Sequence, residues 1–180
     1  MSAPPQEEHA TEPEAPYRVE RLPRDLDRKQ FACGRDPLDT YFHQQVGQDV
    51  DRGYCACFIA IHVESGQIAG YYTLAPYSVA VNEVPLSLAR RLPRYNSVPC
   101  VLMGRLAVAT DHKGQGLGAA LLVDAWGRAR GNEIGGFALI VDAKDEEAKV
   151  FYERYGFCQC EPGSLRLFLS LRKGTGPAKT

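Results

Sequence analysis

Along the chain, apolar positions fall into two periods that alternate with each other. Leu38, Tyr41, Phe42, Val46 and Val50 recur at helical spacing after Asp36-Pro37, a pairing that suits an N-cap followed by proline at the first helical position, so a helix is expected over about 37–50. "CACFIAIHVESGQIAGYYTLAPYSVAV" is two β-rich runs broken by Glu64-Ser65-Gly66-Gln67, the pattern of an antiparallel hairpin. "VPLSLARRLP", 84–93, reads as a short helix or turn. "VPCVLMGRLAV", 98–108, is nearly continuous in apolar residues, which predicts a strand buried on both faces at the sheet centre. Gly118, Leu121, Leu122, Ala125 and Ala129 then share one face of a helix over about 116–130, with Asp124 and Arg128 as an i,i+4 pair outside. "FALIVDA" is a further buried strand. Asp145 caps a helix that carries Glu146 and Glu147 in its first turn and stops at Gly156, and "SLRLFLSL" closes the sheet. The order α-β-β-α-β-α-β-α-β predicts a mixed α/β domain, with a glycine loop at its middle.

Composition sets the limits of this unit. The 180 residues, 44% hydrophobic, suit one core, and a single domain is expected over 17–173. Residues 1–16 hold four glutamates, four prolines and no Lys or Arg, the composition of a disordered acidic tail, and 174–180 reads as a flexible C-terminal tail. Taking the four tail glutamates from the 22 acidic residues leaves 21 basic against 18 acidic, a net of +3 that permits a nucleic-acid partner without requiring one. No apolar run is long enough to span a membrane and no signal peptide pattern opens the chain, so a cytoplasmic protein without membrane contact is expected. Cys55-Ala-Cys57 and Cys158-Gln-Cys160 form two C-x-C pairs that could together hold zinc, but each lies in an apolar strand-like run where cysteine is a small core residue. No metal is expected.

"RLAVATDHKGQGLG", 105–118, joins the central strand to a helix N-terminus, where unpaired N–H groups and the helix dipole favour an anion. Gly114, Gly116 and Gly118 let the backbone approach that anion closely. A nucleoside-triphosphate loop needs Lys-Ser or Lys-Thr after the glycines, and neither follows. A dinucleotide fingerprint is formally met by Gly114, Gly116 and Ala119, with Asp142 as a ribose partner, but that fingerprint opens its fold at the first strand and requires more β-α units downstream.

Arg105-Leu106-Ala107-Val108, Lys113-Gly114-Gln115-Gly116-Leu117-Gly118 and the later "AKVFYERYGF" resemble the cofactor-binding motif and C-terminal signature of GCN5-related N-acetyltransferases (GNAT), over about residues 18–172. The resemblance implies the GNAT acyltransferase fold, a mixed sheet flanked by helices in which strand 105–108 splays from strand 137–142. It implies acetyl-CoA as donor, held by Leu106, Ala107, Val108, Lys113, Gly114, Gln115, Gly116, Leu117 and Gly118. It also implies the Val108 backbone N–H at the thioester carbonyl oxygen and Tyr152 as general acid to the departing thiolate. Two positions depart from the family pattern: Lys113 stands where Arg or Gln is usual, and Asp145 where many relatives carry Asn. No general base stands out. An α-amine, with a pKa near 7.7–8.0, needs little help to become neutral.

"FACGRDPLDTYF", "AGYYTLAPYSV", "RRLPRY" and "GRLAV" look most like the toxin branch of this family, whose members acetylate aminoacyl-tRNA. That resemblance implies an aminoacyl-tRNA acceptor, a ribbon-helix-helix antitoxin and a homodimer, and makes Arg90, Arg91 and Arg94 candidates for RNA phosphates. Two other readings stay open: a housekeeping acetyltransferase for a small-molecule or peptide amine, and a CoA-binding module without catalysis.

Overall fold

The computed structural model describes residues 15–90, 92, 95–132 and 134–178. Twelve elements follow one another: β1 (Tyr17–Arg21), α1 (Asp36–Gln44), α2 (Val46–Asp51), β2 (Ala56–His62), β3 (Ile68–Ala80), α3 (Leu86–Ala89), β4 (Ser97–Val108), α4 (Leu117–Arg130), β5 (Ala138–Asp142), α5 (Glu146–Arg154), β6 (Cys158–Gln159) and β7 (Arg166–Ser170). They build one seven-stranded sheet in the order β1-β2-β3-β4-β5-β7-β6, antiparallel except for the β4–β5 pair. The expected mixed sheet, its hairpin 56–80 and its central strand β4 are all present.

Several expectations change in detail. The helix expected over 37–50 is two, parted at Gln45, where the Arg28 guanidinium donates to the Phe42 carbonyl that would otherwise serve the next helical turn. Strand β1 was not foreseen because "YRVER" offers only two apolar residues; it gains its ladder by pairing at the β2 edge. "SLRLFLSL" supplies β7, which lies inside the two-residue edge strand β6 instead of closing the sheet. The stretch from 174 folds back, Thr175 Oγ1 donating to the Ser170 carbonyl and Ala178 N–H to the Tyr155 carbonyl.

Strand β4 departs most usefully from the pattern. Buried at Val98, Cys100, Val101 and Met103, it is exposed at Gly104 and only half-buried at Arg105, Leu106 and Val108, so it is not buried on both faces throughout. Its register with β3 slips beside Gly104, since Leu74 faces Met103 and Thr73 faces Arg105. Beyond that bulge β4 has no partner on its other side, because its pairing with β5 covers Val101 with Leu139 and Leu102 with Ile140 and then stops. The two central strands diverge there, as expected.

Helices cover both faces. Leu117, Leu121, Leu122, Ala125 and Ala129 of α4, with Phe151 and Tyr152 of α5, pack on the face bearing Tyr72, Met103, Leu139, Val141 and Leu167. On the opposite face α1 and α2 cover Ile59, Tyr71 and Ala107, and α3 covers Val98, Cys100, Ile140 and Phe168. A gap is left between these two groups, over the divergence of β4 and β5. The two C-x-C pairs cannot share a metal: four strands separate β2 from β6, about 24 Å at ~4.8 Å per strand.

Candidate active site

Where β4 leaves β5, a cavity of about 350 Å³ opens, lined among others by Met103 to Val108, Lys113, Asp142 and Tyr152. Its central feature is bare backbone. Ala109 N–H donates to the Ala69 carbonyl at 2.8 Å, which fixes 109, 107 and 105 as the residues bonded to β3 in an alternating antiparallel ladder. The N–H and C=O groups of Leu106 and Val108 therefore point the other way, into the slot. Two peptide units are free to form a ladder with an extended ligand, and the Val108 N–H is a fixed donor beside it.

The glycine loop lies past the end of this strand. Gly114 and Gly116 have φ of 73° and 79°, left-handed values that glycine adopts without cost, and Gly116 is the N-cap of α4. A β-carbon at either would have no protein atom within 4 Å, so the loop presents an open concave surface at a helix N-terminus. At Gly118 a would-be Cβ would make only ordinary contacts, 3.7 Å from Val108 and 3.8 Å from Phe151. Loop geometry and free helix N–H groups fit a pyrophosphate. The side chains of the loop do other work: Leu117 is buried in the core, Gln115 accepts from Tyr17 Oη at 2.8 Å and donates to the Asp111 carbonyl, and Lys113 Nζ donates to the Cys33 carbonyl at 2.6 Å. Lys113 still lines the cavity, tied to the turn that leads into α1.

Tyr152 projects from α5 into the slot from the α4/α5 side, its ring packed edge-on against Phe151 and tilted on Phe157. Burial pushes its phenol up to about 12. Asp145 caps α5, its Oδ1 accepting from Ala148 N–H at 2.8 Å, and also ion-pairs with Lys144 at 3.1 Å and Arg35 at 3.8 Å. The carboxylate at this position is occupied by its own helix.

Sequence reasoning left the opposite bank unassigned. Arg35 and Leu38 reach the cavity from α1, and the Arg105 guanidinium lies 3.4 Å over the buried Tyr41 ring. The spacing of "CGRDPLDTYF" places Arg35, Leu38 and Tyr41 near one helix face, but nothing in it says that this face meets β4. Arg90 is exposed at the end of α3, which packs at the start of β4, away from the cavity at its far end; Arg91 and Arg94 lie outside the described residues.

Residues 53–159 match the acetyltransferase (GNAT) domain family. The chain belongs to the GNAT acetyltransferases. This acetyltransferase is 34% identical over 148 residues to a tRNA-acetylating toxin of Mycobacterium tuberculosis, covering 81% of its own length and 87% of the relative's. Among solved structures it is similar to AtaT complexed with acetyl-methionyl-tRNAfMet, with a TM-score of 0.78 and 27% identity over 86% of this chain and 94% of that one. AtaTR bound with acetyl-CoA is similar too, with a TM-score of 0.73 and 26% identity over 86% and 94%.

Proposed function

We propose that this acetyltransferase moves the acetyl group of acetyl-CoA to the α-amine of aminoacyl-tRNA, and so acts as a translation-blocking toxin. The observation that carries the reading is the 34% identity to a tRNA-acetylating toxin over 148 residues, 81% of this chain. Acetyl-CoA supplies an activated thioester. The α4 N-terminus with Gly114, Gly116 and Gly118 holds its pyrophosphate, and the free edge of Leu106 and Val108 pairs with its extended arm. Ala107 and Gln115 shape this grip from behind, Ala107 by holding β4 to β3 and Gln115 by its bond to Tyr17. Leu117 anchors the loop in the core, and Lys113 adds a cation.

The Val108 N–H lies beyond the β4–β5 ladder and is placed to donate to the thioester carbonyl oxygen, whose negative charge grows as the amine attacks. The ammonium loses one proton to water, the neutral nitrogen forms the new bond to the acetyl carbon and sheds its second proton to solvent, and the carbon–sulfur bond breaks. Tyr152 donates its phenolic proton to the departing thiolate and is reprotonated from solvent. Its raised pKa keeps that proton in place throughout the neutral range.

The toxin reading brings with it a ribbon-helix-helix antitoxin, a homodimer and a cytoplasmic site of action, where charged tRNA is found. Among the described residues no helix is long and apolar enough to cross a membrane. The decisive experiment is incubation with labelled acetyl-CoA and bulk aminoacylated tRNA, followed by nuclease digestion and identification of the acetylated aminoacyl-adenosine. Label on that product, together with growth arrest on expression, is expected. Absence of label with every charged tRNA, alongside harmless expression of the wild type, overturns the reading in favour of a small-amine acceptor.

A further inference from the structure

The slot has two sides. Tyr152 and the glycine loop belong to the one covered by α4 and α5, which leaves the opposite side, past Arg35 and Leu38 at the start of α1, for the amine. What waits there is one carboxylate. In β5, Leu139 and Val141 pack under α4 and α5, whereas Ala138 and Ile140 face the other way, and strand alternation places Asp142 on that second face at the very end of the strand. Its position is fixed. Arg166, directly across on β7, grips it with both prongs, Nε to Oδ1 at 2.7 Å and Nη2 to Oδ2 at 3.0 Å, and the same Nη2 donates to Tyr77 Oη at 3.2 Å. Even so, the Asp142 side chain is 51% exposed, open toward the cavity it lines.

We propose that Asp142 receives the amino group of the acceptor, with Arg166 and Tyr77 as positioning residues that set the carboxylate in place. The inference rests on the acetyl-transfer reading above and names the group that site uses for its acceptor. Each carboxylate oxygen keeps a lone pair after the Arg166 contacts, enough to accept an N–H from the amine. The remaining walls favour this assignment. The facing bank is cationic, with Arg105 over Tyr41 and Arg35 at the α1 N-terminus, and it repels an ammonium while attracting phosphates. The other carboxylate of the described lining, Glu147 on α5, is 87% exposed and turned toward Arg35 at 3.7 Å. Because Arg166 already balances most of the Asp142 charge, the carboxylate orients the amine without holding it protonated.

The test is steady-state acetylation by Asp142→Ala and Asp142→Asn, with two acceptors, bulk aminoacylated tRNA and a series of amino-acid amides. For whichever acceptor the wild type uses, Asp142→Ala is expected to raise the acceptor KM on the order of 10-fold or more, the loss of one charge-assisted hydrogen bond. The KM for acetyl-CoA and its Kd by calorimetry should stay within twofold. Arg166→Lys, which keeps the charge but not the fork, should fall between wild type and Asp142→Ala. An unchanged acceptor KM in Asp142→Ala overturns the proposal while leaving the acetyl-transfer reading intact. So does an equal loss of acetyl-CoA binding, which would mark Asp142 as structural. A wild type that acetylates amides but no charged tRNA overturns the tRNA reading alone; one that acetylates neither overturns both.

Discussion

At the scale of single residues, the site works through groups whose chemistry is set by their surroundings. Tyr152 is a phenol made a weaker acid by burial, so it carries its proton across the whole neutral range, as the proposed general acid must. Tyr152→Phe removes that proton while keeping the ring contacts with Phe151 and Phe157. Turnover should fall about 100-fold, while acetyl-CoA affinity by calorimetry stays within a factor of two. The pH profile follows from the same shift. The reactive form needs a neutral amine and a protonated tyrosine, so kcat/KM should rise with pH through the amine's pKa, near 7.7–8.0, and then level off. No descending limb is expected up to pH 10, because the tyrosine's own pKa is pushed up to about 12. A fall centred near pH 10 would instead show a phenol titrating at its ordinary value, and would mean that burial in the slot does not raise the Tyr152 pKa. The glycines were legible in the sequence because their spacing has a mechanism, and Tyr152 only through the family resemblance. Asp142 was visible only as a candidate ribose partner, since Arg166, which grips it, lies 24 positions away, and Tyr77, which Arg166 also contacts, lies 89 positions from Arg166.

At the scale of elements, the function depends on where two strands stop pairing. The bulge at Gly104 and the brevity of the β4–β5 ladder together expose the Leu106 and Val108 peptides. That backbone edge has to stay aligned with the α4 N-terminus, and Gly70 of β3 sets how closely α4 lies on the sheet. A β-carbon at Gly70 would come within 2.8 Å of Leu121 Cδ1 and 2.9 Å of the Ala107 carbonyl. Gly70→Ala therefore forces α4 outward or bends β4, and should destabilise the fold by about 1–3 kcal/mol in chemical denaturation. It should also weaken acetyl-CoA binding more than the stability loss accounts for, because the loop and the strand edge no longer coincide. Binding at wild-type strength in folded protein would show that the loop alone carries the affinity. The periodicity of α4 and the apolar run of β4 were plain in the sequence, but the divergence of β4 from β5 was implied only by resemblance. A strand that leaves its neighbour keeps the same apolar composition as one that does not.

At the scale of the whole molecule, under the proposed function two substrates divide between the faces of one sheet. The donor is then on the contiguous stretch 105–118 and α5, and the acceptor against α1, the end of β5 and β7. The lining is mostly cationic, with Arg35, Arg105, Lys113 and Lys144 against Asp142 and Glu147. With a polyanionic RNA acceptor, released counterions make binding salt-sensitive. Between 50 and 200 mM salt the KM for charged tRNA should rise about 10-fold, a loss expected when several phosphates are contacted, while kcat holds. A salt-independent KM would point to a small neutral acceptor instead.

The sequence by itself determined what is local. Helical and strand periods, the left-handed glycines of the 113–118 loop, the Asp145 cap and the place of Tyr152 in "FYERYGF" all depend on residues a few positions apart, and their physics is complete within one element. It also carried a phosphate grip, which needs only a loop and the helix that follows it, and through the family resemblance it implied acetyl-CoA as the donor. Tertiary structure decided what depends on residues far apart in the chain. The pairing that stops after Leu102 and Ile140, the Arg105 guanidinium over Tyr41, and the Arg166 grip on Asp142 are set by how seven strands are ordered. A side chain's neighbours across a sheet follow from topology, and topology follows from burial of the whole core at once, so the acceptor side became readable only in three dimensions.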